Sequence, residues 1–444
     1  MSPPQLLAAS IAGLILTGTL LLTLPMAKAP GRTVGVLNAL FTSTSAVCVT
    51  GLIVVDTPND FSTFGHLVIL LLIQFGGLGY MTISTVLASL LGRTVTLQER
   101  LTLQEALNLQ DLEGLIRFAI NVLKLTLVFE LTGAFLLTLH WWPQFGAKAA
   151  WYGLFHAVSA FNNAGFALWS DNLIRWRGDL TVNAVISGLI IAGGLGFFVL
   201  SELTNIRLRK IALSLHTKLV LSATCALLVG GTTAILALEW TNPRTFGAGW
   251  PVGERVLAAW FQSVTARTAG FNTMDNGAMT KAALFVTMAL MFIGASPGST
   301  GGGVKTTTFS ITIAALWATV RGGSDPELFK RRIPAETVAK AFFVSLIAFL
   351  GLNVVAGAVL ITEGRDLLPT LFETTSAFGT VGLSMGEHGA PLSLSGFFTP
   401  IGKLLIAGMM FMGRVGPLTL ALALAARMAT RPKIRYPEGK ILIG

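Results

Sequence analysis

The residues of this 444-residue sequence that are best suited to chemistry are glycines that end four copies of one motif. Each copy has a Phe, three residues, then a Ser or Thr followed by Ala, and it ends nine or ten residues after the Phe on a Gly that precedes Leu or Phe. The copies cover 41–51, 155–165, 261–270 and 372–382, so their glycines lie 114, 105 and 112 residues apart. Self-similarity at a nearly fixed interval indicates a repeat architecture.

Glycine-rich backbone of this kind can hold a dehydrated cation through its carbonyl oxygens. Moving a small ion from water into a medium of low dielectric constant costs about 20 kcal/mol, so a conductor must replace the hydration shell. Glycine adopts φ > 0 without a Cβ penalty, which lets neighbouring carbonyls point the same way. The sequence therefore predicts a cation filter built on Gly51, Gly165, Gly270 and Gly382, with further oxygen ligands from Thr50, Asn163, Thr268 and Thr380. The alternative, glycine that only permits close helix packing, is disfavoured by the four copies.

The composition shows which elements must position these glycines. Apolar residues make up 53% of the chain and charged residues only 12%, against about 25% charged in soluble proteins. A long apolar run precedes and follows every motif, while each motif is too short to cross a bilayer. We predict first helices at 6–26, 116–139, 214–238 and 337–361, and second helices at 64–91, 182–203, 281–317 and 397–426.

The predicted fold is an all-α membrane protein with four linked repeats of helix, re-entrant loop and helix. Irregular backbone at membrane depth must be buried in protein or line a water-filled cavity, so the four loops are expected to meet around a pseudo-fourfold pore. Eight spans result. The predicted repeats cover 1–92, 93–204, 205–320 and 321–444, the last of which includes a cytoplasmic tail.

The distribution of basic residues predicts the orientation. Seventeen Lys and Arg lie in 91–118, 203–218, 318–340 and 427–444, whereas nine lie in the connections around the motifs. Basic loops stay inside, so both termini are predicted to be cytoplasmic in a multi-pass protein of the cell membrane. The same rule explains the net charge of +10 without a nucleic-acid partner.

The last part of the third repeat contains a second candidate site. Gly, Ser and Pro crowd residues 294–303, and such residues weaken or interrupt a helix. We predict a gate loop at about 294–307 that includes Ser296, Pro297, Gly298, Ser299, Thr300, Gly301, Gly302, Gly303 and Lys305; a packing kink is the alternative. Arg414 lies deep in the last span, where an unpaired charge costs about 3 kcal/mol or more, so it is expected to face the pore and touch this loop.

Other charged residues are assigned smaller roles. Arg267 is expected to anchor the third filter loop, and Lys305 and Glu202 are expected to extend towards the cytoplasmic interface. Asp56 and Asp60 follow the first motif, where they either concentrate cations at the mouth or cap a loop.

Taken together, these motifs resemble the Ktr/Trk/HKT superfamily of potassium transporters. The resemblance rests on Thr-Gly-Leu at 50–52, Asn-Asn-Ala-Gly-Phe at 162–166, Ala-Arg-Thr-Ala-Gly-Phe-Asn-Thr at 266–273, Gly-Thr-Val-Gly-Leu at 379–383 and the Ser-Pro-Gly-Ser-Thr-Gly-Gly-Gly run from 296. Only one helix fits before Phe41, which favours the membrane subunit of the Ktr branch. The family fold this implies is four M1–P–M2 units that resemble a tetrameric potassium channel in one chain.

The resemblance also implies an ion, partners and cofactors. Gly51 is intact, which in this superfamily goes with potassium rather than sodium permeability. The resemblance is compatible with potassium uptake that depends on sodium. The implied assembly is a homodimer on a cytoplasmic ring of RCK subunits that bind ATP or an NAD-type nucleotide, with no cofactor in this chain. The apolar tail at 436–444 is expected to pack at the subunit interface.

The expected function is potassium uptake, not enzymatic catalysis. An alternating-access cation transporter with broken helices is the rival, but it predicts two halves rather than four units. An intramembrane hydrolase that uses Ser296 is a third option. Its Gly-Ala-Ser-Pro-Gly sequence at 294–298 is a poor nucleophile elbow, and the P-loop-like run at 298–306 follows an apolar helix rather than a strand.

Overall fold

The structure is a computed structural model that describes residues 3–79, 101, 104, 115–209, 212–323, 325–387, 390–417 and 419–420. Across these residues the chain is mainly helical, with one hairpin that pairs β1 (Glu327–Leu328) with β2 (Arg331–Arg332). The helices α1 to α15 are, in chain order, Pro3–Thr23, Val36–Val47, Thr57–Asp60, Thr63–Leu78, Leu115–Phe145, Lys148–Phe161, Leu180–Leu195, Phe197–Arg209, Leu215–Glu239, Val252–Thr265, Lys281–Phe292, Thr306–Val320, Ala335–Glu363, Leu367–Gly379 and Pro400–Val415.

Four long helices, which we call the outer helices, are α1, α5, α9 and α13. Their bounds coincide closely with the four predicted first helices. By length and composition each can cross a membrane, and among the described residues one bent helix pair adds a fifth candidate span. Large apolar side chains such as Val128, Phe135 and Ile361 stay exposed on them. Such exposure is unfavourable in water and ordinary against lipid.

Four short helices, α2, α6, α10 and α14, carry the repeated motif. Each packs against the outer helix that precedes it. The motif phenylalanines are almost completely buried, and they are Phe41, Phe155, Phe261 and Phe372. The repeated Phe is therefore a packing residue that fixes the short helix within the core.

The inner helices, α4, α7, α11 and α15, follow the short helices. Each is preceded by a capping residue whose side chain accepts a backbone N–H of the first turn. The capping residues are Ser62, Asp179, Thr280 and Thr399. The same capping residues also form hydrogen bonds with residues at or near the end of the preceding outer helix, which are Met26, His140, Glu239 and Glu363. The start of each inner helix is thus fixed twice.

The inner helices end before the predicted second helices do, because a glycine with positive φ or an irregular loop follows each of them. Three end at glycines with left-handed backbone, Gly79, Gly196 and Gly416, at φ of 79°, 94° and 91°. After Gly196 the chain turns by 103° into α8, so the prediction of one continuous helix over 182–203 is wrong. The interruption expected at 294–303 is present, between Phe292 and Thr306. Residues 80–91, 421–426 and 436–444 lie outside the described residues.

Candidate functional site: a ring of four glycines

Gly51, Gly165, Gly270 and Gly382 form a closed ring, which we call the glycine ring. At each of them the place that a Cβ would take is filled by backbone of the next motif copy. The blocking atoms belong to Ala164 and Gly165 at Gly51, to Ala269 and Gly270 at Gly165, to Val381 and Gly382 at Gly270, and to Thr50 and Gly51 at Gly382. Because this order returns to its start, the four segments that carry the ring glycines surround one axis in chain order. We call these segments, which are not β-strands, the strands of the ring.

The glycine ring also needs a backbone conformation that other residues adopt at a cost. The four glycines have φ of 94°, 68°, 76° and 93°. Two residues earlier in every copy, a non-glycine residue is also left-handed: Val49, Asn163, Thr268 and Thr380. A left-handed L-residue costs roughly 1–2 kcal/mol, so surroundings common to the four copies must hold these turns in place.

The repeated Ser or Thr of the motif supplies part of that support. Ser45 and Ser376 accept the N–H of Gly51 and Gly382, each at 3.0 Å. In the other two copies the hydroxyl donates to the carbonyl one residue after the ring glycine, from Ser159 to Phe166 at 2.8 Å and from Thr265 to Phe271 at 2.6 Å. The motif hydroxyl therefore fixes the strand that carries each glycine.

The predicted side-chain ligands do not form one equivalent set. Three of them lie two residues before their ring glycine, namely Asn163, Thr268 and Thr380. In the first copy this position is Val49, and Thr50 is the residue after it. The amide of Asn163 shares a hydrogen bond with the hydroxyl of Thr268 at 3.1 Å. Thr50 lies one residue nearer the ring and contributes its carbonyl beside Gly382.

A second set of polar residues, missed in the sequence, lies directly after the motif phenylalanines. His156 accepts the N–H of Leu168 at 3.3 Å, and Gln262 donates to Asn276 at 2.9 Å. Glu373 accepts from the Ser384 hydroxyl at 2.6 Å. Each of these buried side chains thus supports the chain that leaves the ring. The corresponding residue of the first copy is Thr42. An alignment of the four copies at this position would have revealed the set.

A cavity of about 960 Å³ opens on one side of the ring and is lined by all four glycines. Five acidic side chains and two arginines also line it: Asp56, Asp171, Asp275, Asp366, Glu387, Arg244 and Arg365. Asp60 instead accepts the N–H of Asp56 at 2.8 Å and lies 3.6 Å from Arg32. For this pair two roles were considered, the attraction of cations at the mouth and the capping of a loop. The position of Asp56 favours the first role, and that of Asp60 favours the second.

The loop of residues 293–305, which we call the central loop, lies on the opposite side of the ring. Its Gly302 N–H donates to the Thr380 hydroxyl at 2.9 Å, and the Thr300 hydroxyl donates to the carbonyl of Phe161 at 3.3 Å. Both partners lie a few residues before ring glycines, whereas most residues that line the large cavity follow them. A second cavity, of about 310 Å³, is lined by Pro297, Gly298 and Arg414 among others. The central loop thus lies between the ring and this second cavity.

Arg414 and Lys305 both donate hydrogen bonds to carbonyls of the central loop. Arg414 donates to the carbonyls of Thr300 and Gly76, and to that of Gly77 at 3.0 Å. Lys305 folds back and donates to the Gly301 carbonyl at 2.6 Å, so its expected extension towards the interface is wrong. The expected contact of Arg414 with the loop is present.

The remaining charged residues that were singled out have structural partners. Arg267 is buried and donates to the Gly294 carbonyl at 3.4 Å, at the start of the central loop. Glu202 accepts from Ser214 at 2.6 and 2.8 Å and from Thr217, so it caps the start of α9 rather than extending to the interface. The Ser296 hydroxyl accepts from Thr306, the first residue of α12, at 3.0 Å.

Glycines of the inner helices press against the ends of the short helices. A Cβ on Gly76, Gly193 or Gly413 would collide with the carbonyl of Val47, Phe161 or Phe378, each four residues before a ring glycine. The Gly-Gly-Leu-Gly sequences at 76–79 and 193–196 thus let two helices pack closely. The Gly-Arg-Val-Gly sequence at 413–416 fills the same place in the last repeat, with Arg414 where the others have glycine.

Long apolar helices around a backbone ring, with an acidic cavity on one side, define a membrane protein that handles cations. The sequence profile of the TrkH family, described as a cation transport protein, matches residues 6–432. The chain belongs to this family. Its function is therefore ion transport and not enzymatic catalysis, and the hydrolase alternative on Ser296 is excluded.

Individual relatives cover nearly the whole chain. The Ktr system potassium uptake protein B of Bacillus subtilis (strain 168) is 42% identical over 448 residues, which cover all of this chain and 97% of the relative. The protein of the same name from Vibrio alginolyticus is 39% identical and covers 99% and 95%. The potassium/sodium uptake protein NtpJ of Enterococcus hirae is 40% identical and covers 100% and 98%.

The fold is similar to that of a solved structure. The crystal structure of the potassium transporter TrkH from Vibrio parahaemolyticus aligns with a TM-score of 0.72 at 18% identity, over 94% of this chain and 85% of that one. The family profile and the relatives confirm the resemblance to the Ktr/Trk superfamily seen in the sequence, and this structure agrees with it in fold.

Proposed function

We propose that the chain carries potassium ions into the cell along the axis of the glycine ring, with backbone carbonyls of the ring as the selectivity filter. The observation that carries this proposal is the closed order in which each ring glycine faces the backbone of the next copy. Four strands in this arrangement can present carbonyl oxygens to one axis, which is what a potassium ion needs when it leaves its hydration shell.

The names of the relatives support the choice of ion. Two of them are potassium uptake proteins and a third is a potassium/sodium uptake protein. We therefore take potassium as the transported ion and sodium as a second ion that affects or accompanies transport. No cofactor is assigned to this chain in the proposal.

The proposed topology has eight crossings, one from each outer helix and one from each interrupted inner helix. The recurrence of outer, short and inner helix in the same order supports repeats at 1–92, 93–204, 205–320 and 321–444. With basic loops inside, both termini lie in the cytoplasm and the 960 Å³ cavity faces outward.

In this proposal the central loop is the gate. Its contacts with Thr380 and with the Phe161 carbonyl, both a few residues before ring glycines, support this role. An ion that left the ring would meet this loop and the positive charges of Lys305 and Arg414, which oppose its passage until the loop moves.

The proposed assembly is a homodimer that docks on a cytoplasmic RCK ring. The word "system" in the names of two relatives fits a membrane subunit that works with others. A nucleotide of the ATP or NAD type would bind to the ring and not to this chain. The exposed hairpin around Lys330 and Arg331 is a candidate docking surface.

An alternating-access mechanism is the rival. It predicts two pseudosymmetric halves that rock about a central site, whereas the ring has four equivalent positions in chain order. Steady potassium current in a planar bilayer at fixed voltage would support the pore, and flux strictly limited to one turnover per conformational cycle would support the rival.

Potassium flux into liposomes that contain the purified chain tests the proposal. Each ring glycine is changed singly to Ser, and sodium is the competitor. We expect each variant to lose roughly tenfold or more in flux, or to lose its preference for potassium, since a Cβ at these positions meets backbone and the φ is left-handed.

Two control variants separate this effect from general damage. Gly357→Ser lies in α13 with open space around it, and Gly146→Ser introduces the same left-handed strain at φ 54° without a clash. Both should transport as the wild type does. Wild-type flux and ion preference in all four ring variants would contradict the proposed filter.

A further inference from the structure

Polar contacts join neighbouring strands just outside the glycine ring, on the side of the large cavity. Three of them reach backbone that lies two residues after a ring glycine, at Ile53, Asn272 and Ser384. Two residues span at most about 7 Å, so these contacts act close to the ring. The side chains that make them, Ser393, Asn172 and Asn276, line the same cavity as the glycines.

The contact between the second and third copies is made by Asn172. Its Oδ1 accepts the N–H of Asn272 at 3.4 Å, and its Nδ2 donates to the carbonyl of the ring glycine Gly165 at 3.3 Å. The N–H of Leu173 also donates to the Asn272 carbonyl at 3.2 Å. One short segment of the second copy thus holds both its own ring glycine and the strand of the third copy.

The contact between the third and fourth copies is made by Asn276. Its Nδ2 donates to the Ser384 carbonyl at 3.2 Å, while its Oδ1 accepts from Gln262 at 2.9 Å. Asn276 is 3% exposed, so its amide has exchanged water for these two partners. Gln262 belongs to the short helix α10 of the third copy. Asn276 therefore links this helix to the backbone of the fourth copy at Ser384.

The contact between the fourth and first copies is made by Ser393. Its hydroxyl accepts the N–H of Ile53 at 2.9 Å, and its own N–H donates to the Ile53 carbonyl at 3.0 Å. At the remaining junction, between the first and second copies, the Ser170 hydroxyl donates to Asp56 at 2.7 Å. Every junction of the ring therefore has a polar contact between copies that are distant in sequence.

We propose that these contacts form a collar that sets the diameter of the glycine ring and so its preference for potassium over sodium, with Asn172, Asn276 and Ser393 as its positioning residues. The inference rests on the proposed function. A smaller ion is coordinated well only if the carbonyl oxygens move inward, so a collar that resists this movement disfavours sodium. Loss of a collar contact should lower the preference for potassium more than it lowers the rate.

The test measures the ratio of initial potassium and sodium uptake rates in liposomes for Asn172→Ala, Asn276→Ala and Ser393→Ala. We expect each ratio to fall about fivefold, which corresponds to one net hydrogen bond. A ratio does not depend on how much folded protein each preparation contains. Ser393→Thr keeps the hydroxyl and should restore the ratio.

Asn353→Ala is the matched control, because its Nδ2 donates only within its own helix, to Phe349 at 2.8 Å. It should keep the wild-type ratio. Unchanged ratios in all three collar variants of an active chain would overturn the collar alone. A wild-type chain that carries no potassium would overturn the proposed function itself.

Discussion

Arg414 donates a hydrogen bond to the carbonyl oxygen of Thr300, and it thereby ties the last inner helix to the central loop. The same guanidinium reaches the carbonyls of Gly76 and Gly77 at the end of the first inner helix. One side chain thus joins the first repeat, the fourth repeat and the loop beneath the glycine ring.

Arg414→Gln is expected to raise potassium flux about tenfold. The variant loses charge-assisted hydrogen bonds, each worth about 1.5–3 kcal/mol, and it removes a positive charge beneath the ring. The flux of Arg414→Lys should lie between those of the wild type and Arg414→Gln, because an ammonium group keeps the charge but lacks the planar, two-pronged geometry of the guanidinium. Liposome flux at fixed voltage measures the effect.

Arg321→Gln is the control for this variant. Arg321 lies over the Trp317 ring at 4.7 Å at the end of α12, away from the central loop, and its loss should leave flux unchanged. Equal flux in the wild type and Arg414→Gln would refute a restraining role for Arg414.

Thr380→Val should raise flux about fivefold. The exchange conserves shape but removes the acceptor of the Gly302 N–H, so one contact that holds the loop closed is lost. Thr380→Ser keeps the acceptor and should behave like the wild type. Thr374→Val, whose hydroxyl bonds within α14 to Thr370 at 2.7 Å, is the matched control. A fall in flux for Thr380→Val would instead make this hydroxyl an ion ligand.

We expect Glu239→Ala and Glu363→Ala to differ in their loss of stability, although both carboxylates bind the capping residue of an inner helix. Each accepts the N–H and hydroxyl of the residue that caps an inner helix, Thr280 or Thr399. Glu239 is completely buried and also accepts from Asn242 and Thr245. Its loss should cost about 3 kcal/mol and that of Glu363 about 1 kcal/mol. Thermal unfolding in detergent measures both, and equal losses would argue against the role of burial.

Gly193→Ala should destabilise the protein by about 2 kcal/mol, because the added methyl meets the Phe161 carbonyl and the Thr300 hydroxyl. Gly188→Ala lies on the same helix with open space around it and should be neutral or stabilising by up to about 1 kcal/mol. If both variants melt at the same temperature, the close packing of this glycine does not matter for stability.

The ring glycines could be predicted because their signal is local and repeated. Gly51 and its three counterparts follow the same Phe and hydroxyl residue at nearly constant spacing. The outer helices were equally clear, since their apolar runs are long enough to cross a bilayer whatever surrounds them.

The bend at Gly196 could not be predicted in the same way. A glycine in an apolar run is compatible with a straight helix and with a left-handed turn. The carbonyl of Pro297 in the central loop fills the space beside Gly196, so a neighbour more than 100 residues away accompanies the turn. Lys305 was misjudged for the same reason, because its acceptor on Gly301 exists only once the loop has folded.

The sequence by itself determined the class of the protein, the four glycines and the break in the third inner helix, because hydropathy, glycine backbone freedom and proline chemistry act within a few residues. Only the tertiary structure decided which atoms meet: the order of the ring, the grip of Arg414 on the central loop and the collar from Asn172 to Ser393. Those contacts join residues about 100 to 340 positions apart, and hydrogen bonds of 3 Å between such residues depend on how all four repeats pack together.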